Sequence, residues 1–278
     1  MLASGLPTAV LGGGLLVVCV LLFTVSQVFR YYAKFLVFVV LSIIFATIFI
    51  PLMLFRPKNY KNALLPAWGA RQISKLLNLK WKLRGHENII NDTGCVVLIN
   101  HQSALDLLVL AELWPVLQRC TVISKREIFY AWPFGLAAWL WGTIFINRLN
   151  GEKAQSAINK TGETIRTKQA KLCMFPEGTR HSGKELLPFK KGAFHVAIAA
   201  QTPILPVVVS HYHFLDDKEH RFDAGTNIIE ILPPISTEGL TKEDIDELIS
   251  RTYSAMSQAF TKLSNEVLVD MNKTNTES

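Results

Sequence analysis

No acidic side chain occurs before Glu87, and none of the first 29 residues is charged. These absences exclude an ordinary solvated surface for the start of the chain. From residue 87 onward the balance reverses: nineteen Lys and Arg face twenty-two Asp and Glu, a net of −3 inside a formal +7 for the whole. A globular part without basic excess argues against a nucleic-acid partner. Cysteine is scarce as well. Cys19, Cys95, Cys120 and Cys173 are widely spaced, with no CxxC and no metal-ligand spacing, so neither a disulfide framework nor a metal centre is expected. They read as buried, reduced thiols in keeping with a cytosolic face. There is no internal repeat and no low-complexity tract.

What is present is apolar. Half of the 278 residues are hydrophobic and only 18% are charged. Residues 8–29 form one uncharged run and residues 35–55 a second, separated by Arg30-Tyr31-Tyr32-Ala33-Lys34. About 20 helical residues span the hydrocarbon core, so both runs are long enough. A cleaved signal peptide is disfavoured, because no basic stretch precedes the first run and no small-x-small site comes after it. Two membrane helices joined by a tight turn is the favoured reading; a hairpin immersed in one leaflet is the alternative. The organisation expected is a membrane anchor over 1–55, a basic membrane-proximal connector over 56–86, an α/β domain over 87–270 and a disordered tail over 271–278. The connector's Arg56, Lys58, Lys61, Arg71, Lys75, Lys80, Lys82 and Arg84 would face anionic headgroups, and by the positive-inside rule the chain beyond Phe55 is cytosolic. The sequons at Asn91, Asn159 and Asn272 would then stay unmodified.

Beyond the connector, short β-branched runs alternate with helical stretches. Strands are expected at 95–99, 121–124, 144–146, 172–175, 204–210 and 227–232, with helices at 107–117, 152–168, 191–201 and 242–263. That alternation predicts an α/β fold with a central, mostly parallel sheet flanked by helices. Thr241 and Asp244 read as a capping pair for the last helix.

The first strong strand, 95–99, runs into Asn100-His101-Gln102-Ser103-Ala104-Leu105-Asp106. Open α/β sheets place reacting groups at this kind of strand end. On a regular helix an offset of five residues sets His101 and Asp106 ~140° apart, so they cooperate only if His101 precedes the helix. Ser103 as N-cap, with Asp106 at the third helical position, would arrange that. Taken alone, the pair reads as a capped helix and a turn; the sharper reading is a base oriented by a carboxylate. Further on, Phe175-Pro176-Glu177-Gly178-Thr179-Arg180 comes directly after a strand. Lys190 and Lys191 precede an apolar helix, and Gly142–Arg148 ends a strand with another arginine. Arginine suits bidentate phosphate binding. Ser103 and Cys173 are weak as rival nucleophiles, the first better used as a cap and the second inside an apolar strand.

The blocks His101–Asp106, Gly142–Arg148, Phe175–Arg180 and Pro203–Val207 stand in the order and spacing of the four motif blocks of glycerolipid acyltransferases. Over roughly residues 80–235 the chain resembles the 1-acylglycerol-3-phosphate O-acyltransferases of the eukaryotic endoplasmic reticulum. The resemblance implies the glycerolipid acyltransferase fold, a catalytic domain on the cytosolic face of that membrane, and lysophosphatidic acid and acyl-CoA as substrates, with no cofactor. It implies His101 as general base, Asp106 as its support, and Arg148, Glu177, Gly178, Thr179 and Arg180 around the glycerol phosphate, with Lys190 and Lys191 assisting on phosphate or CoA. Another lysophospholipid or glycerol 3-phosphate as acceptor is the near alternative. A non-catalytic protein binding acidic lipid is the distant one. The aromatic stretch Phe129–Trp141 reads as core before it reads as acyl-binding or membrane-dipping.

Overall fold

The structure, a computed structural model, describes residues 5–146, 161–163 and 165–276. Two apolar helices open it, α1 (Gly5–Val25) and α2 (Gln27–Thr47), the second with Ser26 as its N-cap, and then the short α3 (Ile50–Met53). Next come α4 (Leu64–Leu76), β1 (Leu79–Arg84), β2 (Cys95–Ile99), α5 (Asp106–Leu117), β3 (Cys120–Lys125), α6 (Phe134–Leu140), β4 (Ile144–Ile146) and β5 (Lys171–Met174). The chain closes with α7 (Gly192–Ala200), β6 (Ile204–Val209), β7 (Leu215–Asp216), β8 (Arg221–Phe222), β9 (Gly225–Ile231) and α8 (Ile245–Thr276). Most of the expected helix over 152–168 falls outside the described residues.

The main sheet runs β1-β9-β6-β2-β5-β3-β4, and every pairing is parallel except β6 with β9. β2 and β6, near its centre, are buried at every position. Continuous apolar runs are what a strand covered on both faces requires. One face carries α4 and α5, with Leu105, Leu108 and Leu117 fully buried beneath them; the other carries α7 and α8, with Phe194, Met256 and Phe260 inside. All four cysteines are free, and burial pushes the Cys95 thiol up to about 12.

Two expectations for the flanks change. The connector over 56–86 is not merely a helix on a membrane, because its last part joins the main sheet. Within it, Leu79, Trp81 and Leu83 alternate with Lys80, Lys82 and Arg84, and this period-two pattern forms the edge strand β1, paired with β9. Arg84 binds Glu266 of α8 through both guanidinium nitrogens, at 2.9 and 2.6 Å, and Lys82 reaches Asp270 at 3.3 Å. These cations answer acids of the body rather than headgroups. The tail expected to be disordered from 271 continues α8 to Thr276, and no Gly or Pro interrupts that helix.

The apolar helices are not detached from the body. Residues Gln27–Met53 form one stretch long and apolar enough to cross a membrane, while the described apolar part of α1, Gly13–Val25, is shorter. At the α1–α2 turn, the Gln27 amide donates to the Glu219 carbonyl at 2.8 Å. Tyr31 donates to Asp217 and Lys34 to the Phe222 carbonyl, at 2.8 and 2.7 Å, both on the β7–β8 hairpin. Midway, Phe38 is buried and the Phe45 ring lies against Gly69 of α4, where any Cβ would come within 2.3 Å of it. At the far end, the Asn62 amide donates to carbonyls of Met53, Arg56 and Leu140.

Candidate active site

β2 ends at Ile99, and the next residues are locked to the end of neighbouring β6. Asn100 donates to the Val209 carbonyl and accepts from the Val209 N–H, at 3.0 and 2.8 Å. The Gln102 side chain donates to the carbonyls of Val209 and Ser210 and accepts from the Tyr212 N–H at 3.1 Å. The His101 ring between them stays partly exposed.

The His101 Nδ1 and Asp106 Oδ2 are 2.6 Å apart. The imidazole is 18% exposed and the carboxylate only 4%, so the ring can be reached while its partner cannot. Asp106 opens α5, where a carboxylate also gains from the helix dipole. Its Oδ2 accepts the backbone N–H groups of Gln102 and Ser103 at 2.8 and 3.2 Å, and its Oδ1 accepts the Tyr212 hydroxyl at 2.7 Å. Asp106 therefore makes the acid half of the expected capping box. Among the described residues Ser103 does not make the other half: its hydroxyl reaches the Leu105 N–H at 3.4 Å, because the helix enters through a tight turn with three-residue bonds. The pairing leaves Nδ1 as the proton donor to Asp106 and Nε2 with the free lone pair.

The loop after β5 wraps around His101. Phe175 stacks on the imidazole with ring centroids 3.9 Å apart and planes 19° apart. The His181 N–H donates to the His101 carbonyl at 2.9 Å. Glu177, expected around the glycerol phosphate, is 2% exposed, with Oε1 accepting the His101 N–H at 2.8 Å and Oε2 the Leu187 N–H at 3.1 Å. Burial raises its pKa, and the two backbone donors oppose that. Its two carboxyl oxygens hold the backbone at His101 and Leu187. Gly178 has φ +69°, and its bare Cα lets the Lys190 side chain lie across it, where a Cβ would come within 2.9 Å of Cδ. Thr179, Arg180 and Lys190 are placed around this turn, with Arg180 exposed. Lys191 is drawn off to Asp246 at 2.6 Å. Arg148 lies outside the described residues.

Sequence reasoning missed Tyr212 and Phe175. Phe175 opens the block Phe175–Arg180 but was given no role there; Tyr212 lies 106 residues from its partner and gives no local signal. Burial, then the Asp106 charge, raises the Tyr212 pKa well above the ordinary phenol value, so it stays a donor.

An apolar slot of about 100 Å³ lies between Phe45 of α2, Ala67 and Ala70 of α4, and Leu107 and Leu110 of α5, with Leu107 the residue after Asp106. A larger cavity of about 710 Å³ with Lys58, Arg119 and Lys168 at its wall lies by the starts of β3 and β4, at the opposite end of the strands from His101.

A family model described as Acyltransferase matches residues 80–210. The chain is 39% identical over 222 residues to human 1-acyl-sn-glycerol-3-phosphate acyltransferase alpha, covering 80% of this chain and 78% of that protein. It is 34% identical over 252 residues to the human beta enzyme, covering 90% of each. To the 1-acyl-sn-glycerol-3-phosphate acyltransferase of Haemophilus influenzae it is 32% identical, over 76% of this chain and 87% of that one. The crystal structure of the 1-acyl-sn-glycerophosphate (LPA) acyltransferase PlsC from Thermotoga maritima matches with a TM-score of 0.65 at 20% identity, over 84% of this chain and 97% of that one. At that identity the likeness is one of fold.

Proposed function

The chain belongs to the 1-acyl-sn-glycerol-3-phosphate acyltransferases, and from that premise we propose that it moves a fatty acyl group from acyl-CoA to the sn-2 hydroxyl of lysophosphatidic acid, giving phosphatidic acid and CoA. The observation that carries the mechanism is the 2.6 Å pair of an accessible His101 and a buried, four-donor Asp106. Nε2 of His101 takes the proton of the acceptor hydroxyl. The oxygen attacks the thioester carbonyl carbon, the C–S bond breaks, and the thiolate leaves with the proton returned from Nε2. The new bond is an ester, and no covalent enzyme intermediate is needed. Asp106 holds the tautomer and stabilises the imidazolium. Arg180 is assigned to the acceptor phosphate, with Lys190 beside it and Arg148 assigned there from the sequence alone. The slot next to Leu107 is apolar and suited to an acyl chain.

The geometry of α2 favours the one-leaflet reading of the anchor over spanning helices. The start and the middle of α2 are fastened to the catalytic body, and Met53, where the apolar stretch ends, accepts from the Asn62 amide that also reaches the Leu140 carbonyl. A bilayer-crossing α2 would have to carry that body, with its charged hairpin, into the hydrocarbon, where each unpaired polar group costs several kcal/mol, about 4–8 on the harshest scale. The hairpin then lies in the cytosolic leaflet of the endoplasmic reticulum, beside a membrane-borne acceptor. The test is product analysis with one acyl-CoA and competing acceptors. Lysophosphatidic acid should be preferred, with the label at sn-2; preference for glycerol 3-phosphate or a lysophospholipid diester would overturn the acceptor assignment.

A further inference from the structure

The stretch after β3 is exposed without interruption from Lys125 to Trp132. Ile128, Phe129, Tyr130 and Trp132 in it are 38, 39, 66 and 74% accessible. A contiguous group of large apolar side chains on a water-facing surface is unusual and signals something that covers it.

This exposure is built into the backbone. Arg126–Tyr130 forms a 3₁₀ turn that packs back on α6. The Gly135 N–H donates to the Ala131 carbonyl at 2.8 Å, and a Cβ at Gly135 would fall 2.0 Å from the Phe129 carbonyl oxygen. With the backbone seated that closely on the helix, the side chains of Tyr130 and Trp132 point outward. The fold thus presents them on a fixed platform.

Its neighbours identify the occupant. Phe134, two residues after Trp132, lines the same slot as Ser42, Phe45 and Ala46 in the middle of α2. The outer face of α2 is bare, with Leu36, Ile43 and Ile44 41–64% accessible. The aromatic turn therefore adjoins the apolar helix. Lys125 and Arg126 flank it, with Glu127 the acid among them. Tyr and Trp, with apolar rings and polar tips, suit the headgroup boundary, and cations beside them suit anionic lipid.

We propose that Ile128–Trp132 is a second membrane contact, seated at the headgroup–acyl boundary of the leaflet that holds α2. It comes after β3 at the same carboxyl edge of the sheet as His101, which comes after the parallel strand β2. Docking here fixes the catalytic edge at the lipid surface, and α2 alone would leave it free to roll about the helix axis. The proposal rests on the one-leaflet reading of the anchor.

The test uses the full chain in phosphatidylcholine–phosphatidylserine vesicles with bromine on the acyl chains. Tryptophan quenching of the wild type is compared with that of Trp132→Phe, and a fluorophore on Ile43→Cys reports α2. Loss of a quenched component in Trp132→Phe, with the Ile43 probe also quenched, supports the proposal. Unchanged quenching with the Ile43 probe still quenched overturns it while leaving the anchor standing. If neither responds, the anchor reading fails and the proposal with it. As a second readout, Tyr130→Asp with Trp132→Asp should raise the apparent KM several-fold for acceptor in vesicles and leave it unchanged for acceptor in detergent micelles. An equal change in both presentations would also overturn it.

Discussion

The Tyr212 hydroxyl donates to Oδ1 of Asp106 at 2.7 Å, and both side chains are buried. Among the described residues it is the one side-chain donor to the oxygen that His101 does not use. Tyr212 thus fixes the plane of the carboxylate and, through it, the imidazole. Tyr212→Phe removes one hydrogen bond to a charged group, about 1.5–3 kcal/mol. If the transition state feels most of that loss, kcat falls about tenfold or more. KM for both substrates should hold, because Tyr212 is buried behind Asp106, away from the cleft. A KM change at constant kcat in steady-state kinetics would contradict the positioning role.

Glu177 holds two backbone N–H groups that a glutamine cannot both satisfy. Glu177→Gln leaves a buried donor facing an amide NH₂, a cost of about 1–3 kcal/mol. The melting temperature should drop and kcat should fall with KM for the acceptor unchanged. A rise in acceptor KM without loss of stability would return Glu177 to the substrate.

Burial, and then His213 beside it, lowers the His211 pKa from its ordinary 6.5 to about 4. Above pH 6.5 the ring is neutral in the folded and unfolded chain alike. Between that value and about pH 4 the unfolded chain takes up a proton that the fold refuses, so stability falls as pH falls through this window and then levels. Melting temperatures across that range should show a shallower acid decline for His211→Gln than for the wild type. Parallel curves would remove His211 as a source of acid sensitivity.

The α1–α2 turn is tied to the body through Gln27 and Glu219. Cysteine placed at Ser26 should therefore react with a membrane-impermeant maleimide from the cytosolic side of sealed microsomes. Labelling only after the lumen is opened would restore two spanning helices.

The sheet was legible because its central strands are buried on both faces and read as unbroken apolar runs, 95–99 above all. The pairing of His101 with Asp106 was legible for a related reason, since five residues across a strand–helix junction can meet only if the first lies outside the helix. β1 was hidden by its basic residues: Lys80, Lys82 and Arg84 look like a membrane-facing stripe until Glu266 and Asp270 are seen opposite Arg84 and Lys82 on α8. The inward turn of Glu177 was not legible, because a motif carries identity without direction and only the fold sets its carboxylate on two backbone N–H groups. The exposed turn at Ile128–Trp132 looked like core because aromatic composition alone does not distinguish water-facing from buried.

The central claim is that His101 performs the proton transfer, and the direct measurement is CoA release from acyl-CoA with lysophosphatidic acid, comparing wild type with His101→Ala in the same membranes. A positioned general base contributes about a hundredfold to ten-thousandfold, and the variant should lose activity on that scale while remaining membrane-bound and folded. CoA release at the wild-type rate from the His101→Ala protein would contradict the account.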